Sequence, residues 1–271
     1  MPELPEVETT RRGIAPHLAG RRFTGARVRN RRLRRPVPRD LSRLLAGQPV
    51  TGVRRRGKYL VIDTPAGSLI IHLGMSGSLR VVPAGTPPGP HDHVDLLLVD
   101  GRCLRLRDPR RFGLVLFTRR DPLTHPLLKD LGPEPLAPGF GGDDLWRRAR
   151  GRRTAIKNFI MDGRVVAGVG NIYANEALFR AGIHPARPAG RISRARMARL
   201  AAAIRAVLEE AIAAGGTTMR DFTDSQGKPG YFALSLAVYG REGEPCPRCG
   251  HPIRHVVIGQ RSTCYCPRCQ R

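Results

Sequence analysis

Val94-Asp95-Leu96-Leu97-Leu98-Val99-Asp100-Gly101-Arg102-Cys103-Leu104-Arg105-Leu106-Arg107 reads as two strands joined at Asp100-Gly101. Asp-Gly between two apolar runs is a strong short-range signal for a tight hairpin. In the second arm Leu104 and Leu106 alternate with Arg105 and Arg107, so one face is apolar and the other basic. Residues 59–63 and 68–73 form another such pair around Pro65-Ala66-Gly67, and short strand-like runs extend from about 22 to 118. This half is expected to be a mostly antiparallel β-sandwich.

Working outward, the N-terminus reads as a helix. Leu4, Val7, Ile14 and Leu18 recur at helical spacing, Pro5 suits a first turn, and Glu6 and Glu8 complement the positive helix end. On the other side, residues 121–142 are rich in Pro and Gly and mark an inter-domain link. Helices are expected at 143–150, 154–162, 171–181 and 193–214, the last stopped by Gly215-Gly216. Residues 217–240 read as loop, and the chain closes with a small separate module. The expected division is 1–130, 131–222, a connecting stretch at 223–240, and 241–271. The fold class is therefore α+β and multidomain.

The 271 residues carry a net charge of +25 and a sequence pI near 11.4, which makes a polyanion the first partner to consider. Lysine occurs only at positions 58, 129, 157 and 228, so Arg supplies the other 43 of 47 basic residues. That bias, with abundant Ala, Gly and Pro, points to codon usage as well as to binding. No apolar run is long enough to span a membrane. Glu3, Glu6 and Glu8 replace the apolar core of a secretory signal, so a cytoplasmic location with reduced cysteines is expected.

Several patterns carry chemistry. Cys246-Pro-Arg-Cys249 and Cys266-Pro-Arg-Cys269 are two knuckles separated by sixteen residues. Such a pair presents four thiolates to one structural Zn²⁺ and brackets a β-hairpin. A disulfide or redox motif fits a reduced chain poorly. Cys103 and Cys264 are read as packing residues. Between the knuckles, Gln260-Arg261-Ser262-Thr263 is expected to form the hairpin turn, offering the Arg261 guanidinium to a phosphate or to solvent.

Gly168-Val169-Gly170-Asn171 opens a helix that Asn171 is suited to cap, and its N-terminus beside Arg152, Arg153 and Lys157 suits either an anion or simple capping. Two loops, Gly74-Met75-Ser76-Gly77 and Asp108-Pro109-Arg110-Arg111-Phe112-Gly113, set Met75 and Phe112 among small or rigid residues. Such side chains either pack in a core or wedge into a base stack, with Arg110 filling the hole. Lys58, between Gly57 and Tyr59, is a rare ammonium in an arginine-rich chain; it either holds a phosphate or sits on a strand edge. His91-Asp92-His93 lacks a third metal ligand nearby, which favours a DNA contact or a core hydrogen bond.

The first residues, Met1-Pro2-Glu3-Leu4-Pro5-Glu6, allow removal of Met1 and exposure of the Pro2 secondary amine beside the Glu3 carboxyl. Such an amine, partly unprotonated near neutrality, forms Schiff bases, and a neighbouring acid protonates a leaving oxygen. Read alone, Met-Pro-Glu is an ordinary start.

Together, residues 2–9, Lys58-Tyr59, the 72–77 and 108–113 loops, 168–173 and the four-cysteine finger resemble bacterial formamidopyrimidine-DNA glycosylases, in family order over essentially the whole chain. The resemblance implies a β-sandwich with an N-terminal helix, a helix–two-turn–helix domain and a zinc-finger hairpin, with DNA held between domains. It implies Pro2 as nucleophile at C1′, Glu3 as proton donor to the sugar, and Lys58 and Arg261 as helpers in elimination. His91, Arg110, Arg152 and Asn171 match DNA-contacting positions, Met75, Arg110 and Phe112 the void-filling trio, and 217–232 the mobile loop over the everted base. The implied partner is double-stranded DNA with oxidised bases or abasic sites, bound by a bacterial, nucleoid-associated monomer. Arg152 stands where the family often has Lys, and Cys264 replaces a bulkier residue. Two rivals remain open: an endonuclease VIII-like enzyme for oxidised pyrimidines, against which Leu4 and the Arg110–Phe112 pair speak, and a non-catalytic zinc-containing DNA-binding regulator, which leaves Pro2-Glu3 without a purpose.

Overall fold

The computed structural model describes residues 2–216 and 236–271. They form two compact units, one from the described residues of 1–130 with 214–216, the other from those of 131–213 and 236–271. The expected loop at 217–232 and the boundary near 222 lie outside the described residues.

In the first unit helix α1 (Leu4–Leu18) begins at Glu3, with Pro5 in its first turn, where a missing N–H costs nothing. Two antiparallel four-stranded sheets follow. One runs β1 (Phe23–Val28), β6 (Asp92–Leu98), β7 (Arg102–Arg107), β5 (Ser78–Pro83). The other runs β2 (Gly52–Arg56), β3 (Tyr59–Thr64), β4 (Gly67–His72), β8 (Leu114–Thr118). Leu96, Leu104 and Leu106 from the first sheet meet Leu60, Ile62 and Ile71 from the second in one buried cluster. Val7, Ile14 and Leu18 of α1 join that core, as does a short helix α2 (Leu41–Leu45) that the sequence pattern did not reveal.

The 94–107 hairpin forms as read, but its outer face is not simply basic and solvated. Arg105 is only 5% exposed. Its guanidinium grips both oxygens of Asp95, directly opposite on β6, at 2.8 and 2.9 Å, and donates to the carbonyls of Thr86 and Pro87 at 3.0 and 3.3 Å. Arg29 pairs with the same carboxylate, whose side chain is fully buried. The alternation set the direction of the side chains, and residues 86–87 with an opposed carboxylate cover Arg105 on the basic face.

The second unit holds α3 (Gly142–Ala149), α4 (Ile156–Met161), α5 (Asn171–Ala181) and α6 (Arg194–Ala213), each within two residues of its expected span. The hairpin of β9 (Arg254–Ile258) and β10 (Arg261–Tyr265) follows. Its turn is Gly259-Gln260, both at positive φ (57° and 60°), so the expected four-residue turn at 260–263 is displaced. A type I′ two-residue turn has positive φ at both positions, which matches the strand twist, and here Gln260 adopts it despite its side chain. Arg261 consequently becomes the first residue of β10. Among the described residues no helix is long and apolar enough to cross a membrane.

Burial opposes ionisation of Asp95, but hydrogen bonds from Arg105 and Arg29 outweigh it and hold the carboxyl below its usual range. Its contribution to stability is therefore complete above about pH 4, the ordinary Asp value, and is lost as the pH falls through the lower folded value. Asp95→Asn should cost about 3–5 kcal/mol in urea unfolding near neutrality, because it strands two guanidiniums. The gap between wild type and variant should close as the pH is taken below about 4.

Candidate functional site

Pro2 and Glu3 are buried at the start of α1. Glu3 and Glu6 form a capping box, in which the Glu3 N–H donates to Glu6 Oε2 at 2.8 Å. One turn on, Glu8 accepts hydrogen bonds from Arg11 and Arg12, and Arg55 of β2 reaches it at 3.2 Å. This network pins the beginning of α1 to the strand leading into Lys58. Lys58 and Gly57 (φ 57°) form the two-residue turn between β2 and β3, with Lys58 half-buried.

Just after that turn, Tyr59 of β3 pairs with His72 of β4, their rings 4.8 Å apart. His72 Nδ1 accepts the Gly74 N–H at 2.9 Å, which requires a ring unprotonated at that nitrogen. Burial, with the charges of Arg34 and Lys58 beside it, pushes the imidazole down to about 4, so it stays neutral at physiological pH. His72 thus fixes the turn that presents Met75.

The two bulky-residue loops meet backbone to backbone. Gly74 sits at φ 69°, and a Cβ there would lie 2.4 Å from the Gly113 nitrogen and 2.5 Å from the Phe112 carbonyl carbon. No side chain fits between them. Gly113 N–H donates to Asp108 Oδ2 at 2.7 Å, the Asp108 N–H donates to the His91 carbonyl at 3.0 Å, and His93 Nε2 contacts the Asp108 carbonyl at 2.9 Å. Burial pushes the Asp108 carboxyl up. These contacts gather Met75, His91, Arg110 and Phe112 into one region of the first unit. Met75 is 37% and Phe112 50% exposed, so neither packs in the core.

In the second unit α5 organises the remaining residues. Gly170, in extended conformation, is the N-cap, and Asn171 is the first helical residue. Asn171 is therefore not the cap: its Nδ2 donates to the Ser262 carbonyl at 3.0 Å, beside Arg261. Lys157 is likewise not an exposed phosphate ligand. It is fully buried, donating from Nζ to the Ser262 carbonyl at 2.8 Å and Thr263 Oγ1 at 2.6 Å. Asn175 accepts the Cys264 N–H at 2.8 Å and donates to the Asn171 carbonyl at 2.6 Å. Glu176 accepts the N–H groups of Ala237, Val238 and Tyr239 at 2.8 to 3.0 Å. Arg261 and Arg152 are exposed. The sequence reading missed His72, Asp108, Asn175 and Glu176 as positioning groups; the available signal was a polar pair on the otherwise apolar 172–179 run of α5.

The four knuckle cysteines bring their sulfurs within 4.8 Å of one another. A tetrahedral Zn²⁺ with bonds of about 2.3 Å separates sulfurs by about 3.8 Å, and Cys246–Cys269 and Cys249–Cys266 lie 3.9 and 3.5 Å apart. Arg248 N–H points at Cys246 and Cys269 N–H at Cys266, both at 3.4 Å, as thiolate ligands require. Cys103 and Cys264 lie outside the cluster. The donor set fits one structural zinc with every position filled by protein. Cys249→Ser should reduce bound zinc from one per chain to near zero by metal analysis and loosen the hairpin; retention of full zinc would contradict the site.

Three family models match in order: the formamidopyrimidine-DNA glycosylase N-terminal domain at 1–115, its H2TH domain at 131–223, and the zinc finger found in FPG and IleRS at 243–271. The chain is 64% identical to formamidopyrimidine-DNA glycosylases of Alkalilimnicola ehrlichii and Methylococcus capsulatus, with each chain fully covered. It superposes on the MutM (Fpg) protein of Thermus thermophilus with a TM-score of 0.89 at 41% identity, covering 99% of this chain and 98% of that one. It also matches Lactococcus lactis Fpg in complex with DNA containing an abasic site, with a TM-score of 0.91 at 33% identity and full coverage of both chains. A buried proline-carboxyl start, two interlocked loops with exposed Met and Phe, and a four-thiolate hairpin docked on α5 thus belong to a chain of the formamidopyrimidine-DNA glycosylase family.

Proposed function

We propose that this chain is a bifunctional DNA glycosylase and abasic-site lyase that removes oxidised purines, 8-oxoguanine and formamidopyrimidines, from duplex DNA. The observation that carries this reading is the placement of Pro2 and Glu3 at the start of α1, locked to the Lys58-bearing hairpin through Glu8 and Arg55. A nucleophile must be held still against the carbon it attacks, and a buried capping box does so.

After removal of Met1, the Pro2 nitrogen attacks C1′ of the damaged nucleotide, and the C1′–base bond breaks. Glu3 gives a proton to the sugar ring oxygen, so that the ring opens to an iminium on Pro2. Loss of a C2′ proton expels the 3′ phosphate, and a second elimination expels the 5′ phosphate. Lys58 serves as general acid and base in these steps, and Arg261 grips phosphate and assists the second. The zinc contributes folding energy to the finger that carries Arg261.

A base in a stack cannot be reached at C1′, so the nucleotide must be everted at a cost of about a few kcal/mol. Met75, Arg110 and Phe112 fill the vacated space; the exposed Met75 and Phe112 on loops fixed by Gly74 and Gly113 support this role. His91, Arg152 and Asn171 hold the DNA backbone. The catalytic part spans 1–130, the helical DNA-binding part 131–222, a connection 223–240 and the finger 241–271. Relatives solved with abasic-site and Fapy-dG DNA support the substrate class.

Pro2→Gly should abolish most excision and lyase activity with an unchanged melting temperature. Glu3→Gln should slow excision by about 10²- to 10⁴-fold, the usual worth of a positioned general acid. Borohydride trapping with a lesion duplex, followed by mass spectrometry, should place the adduct on Pro2 in a chain lacking Met1. An adduct on any lysine refutes the mechanism, no adduct at all favours a regulator, and faster cleavage of thymine glycol than of 8-oxoguanine opposite cytosine favours the pyrimidine-specific branch.

A further inference from the structure

Between β5 and β6 the chain crosses an exposed stretch, residues 85–90, that joins no strand ladder and leads into half-buried His91. Pro87, Pro88 and Pro90 have no N–H to donate, so the stretch has little means of securing itself. Its own backbone bonds are short-range. The Thr86 N–H donates to the Pro83 carbonyl at 3.0 Å, the Asp92 N–H to the Gly89 carbonyl at 3.2 Å, and the Gly89 N–H to Asp92 Oδ2 at 2.8 Å.

What ties this loop to the sheet is a side chain of β7. Arg105, only 5% exposed, donates from Nη2 to the Thr86 carbonyl at 3.0 Å and from Nη1 to the Pro87 carbonyl at 3.3 Å. The same guanidinium holds Asp95 by two bonds and lies 3.6 Å from Asp92 Oδ2. It therefore reaches both sides of His91: the loop before it and the residue after it. Beyond His91 the chain is fixed by other means. Arg29 Nη1 donates to the Asp92 carbonyl at 3.2 Å, and the Asp108 N–H donates to the His91 carbonyl at 3.0 Å.

Asp95 is already paired with Arg29, so a second guanidinium is not needed to neutralise that carboxylate. What Arg105 adds is the hold on two loop carbonyls. A planar fork of five donors spans a carboxylate and two carbonyls at once, which an ammonium on a flexible stem does not. We propose that Arg105 is a positioning residue that acts through the Thr86 and Pro87 carbonyls to hold the loop presenting His91 to the DNA. The proposal rests on the DNA-repair reading above, in which His91 contacts the backbone, and adds a side chain too buried to touch DNA itself. A loop ordered in advance binds without the entropic cost of ordering, so Arg105 governs affinity and leaves the rate of chemistry alone.

The test uses the zinc-loaded full chain cutting 8-oxoguanine opposite cytosine. Arg105→Lys keeps a cation beside Asp95 and gives up the carbonyl grip. It should raise KM about 10-fold and leave kcat within about twofold. His91→Ala should also raise KM, and the double variant should be no worse than His91→Ala alone, because a held loop is of no use without the side chain it presents. Wild-type KM in Arg105→Lys, a fall in kcat with KM unchanged, or effects that multiply in the double variant each overturn the proposal.

A second pair of variants leaves Arg105 and Asp95 untouched, so that it decides the matter even where Arg105→Lys folds poorly. Lactic acid placed at position 87 by amber suppression turns the Thr86 carbonyl into a weakly accepting ester, and Pro87→Ala serves as its amide control. The ester should have a higher KM than Pro87→Ala, and the difference should vanish when His91→Ala is added. Equal KM values for ester and amide overturn the proposal. A wild-type chain that cuts no lesion duplex defeats the DNA-repair reading itself, whereas failure confined to the variants defeats only the role of Arg105.

Discussion

The Glu176 carboxylate of α5 accepts three successive backbone N–H groups, from Ala237, Val238 and Tyr239. No strand ladder exists there to satisfy them, and buried N–H groups left alone are costly. The same device recurs at several points among the described residues. Asp108 satisfies Gly113, His72 satisfies Gly74, Asn175 satisfies Cys264, and Lys157 with Asn171 satisfies the Ser262 carbonyl. Each polar side chain is cheap to bury only because its partner is already in place, so each position tolerates few alternatives. The proposed wedge residues Met75 and Phe112, and the proposed phosphate grip at Arg261, all sit within two residues of such an anchor.

The finger gains most from this arrangement. Phe179 of α5 shares a buried cluster with Val238, Ile253 and Cys264, and Arg248 lies 4.6 Å over the Phe179 ring while donating to the Phe179 and Arg180 carbonyls. A hairpin this small cannot supply its own core. Zinc closes it, and α5 fixes where it points. Four thiolates fill a tetrahedral zinc, which leaves no coordination position for water or substrate. The proposed chemistry at an amine matches that division, since Schiff-base formation and elimination need a nucleophile and proton carriers rather than a Lewis acid.

Much of this was legible in the residues. The Asp100-Gly101 hairpin, the apolar periodicity of α1 and the paired C-x-x-C knuckles each encode local geometry directly, and each formed where expected. What failed depended on distant partners. The basic face of β7 gave no hint that Arg105 is buried, because Asp95 and residues 86–87, which cover it, are not its sequence neighbours. Lys157 looked like a phosphate ligand because Ser262 lies 105 positions away along the chain. Asn171 has the right residue type for a cap, yet Gly170 takes that position and frees the amide to reach the finger. The turn at Gly259-Gln260 escaped because Gln is a poor candidate for positive φ, and only the strand register imposes it.

Charge follows the same logic of partnership. A net +25 says little by itself, since arginine-rich composition also follows from codon usage. The structure sorts the arginines by what they meet. Arg29 and Arg105 are consumed by buried Asp95, Arg54 by Asp63, and Arg180 by Glu210, so these guanidiniums serve the fold. A guanidinium already paired in a bidentate ion pair must break that pair to grip a phosphate, and it gains little by the exchange. Among the described residues Arg152, Arg153 and Arg191 have no ion-pair partner, and the same holds for other arginines such as Arg107 and Arg254. An unpaired guanidinium is therefore a weak sign of a site in this chain, because 47 basic residues against 22 acidic ones leave many arginines without a carboxylate whatever they bind, whereas a buried pair such as Arg105 with Asp95 states plainly which guanidiniums are committed to the fold.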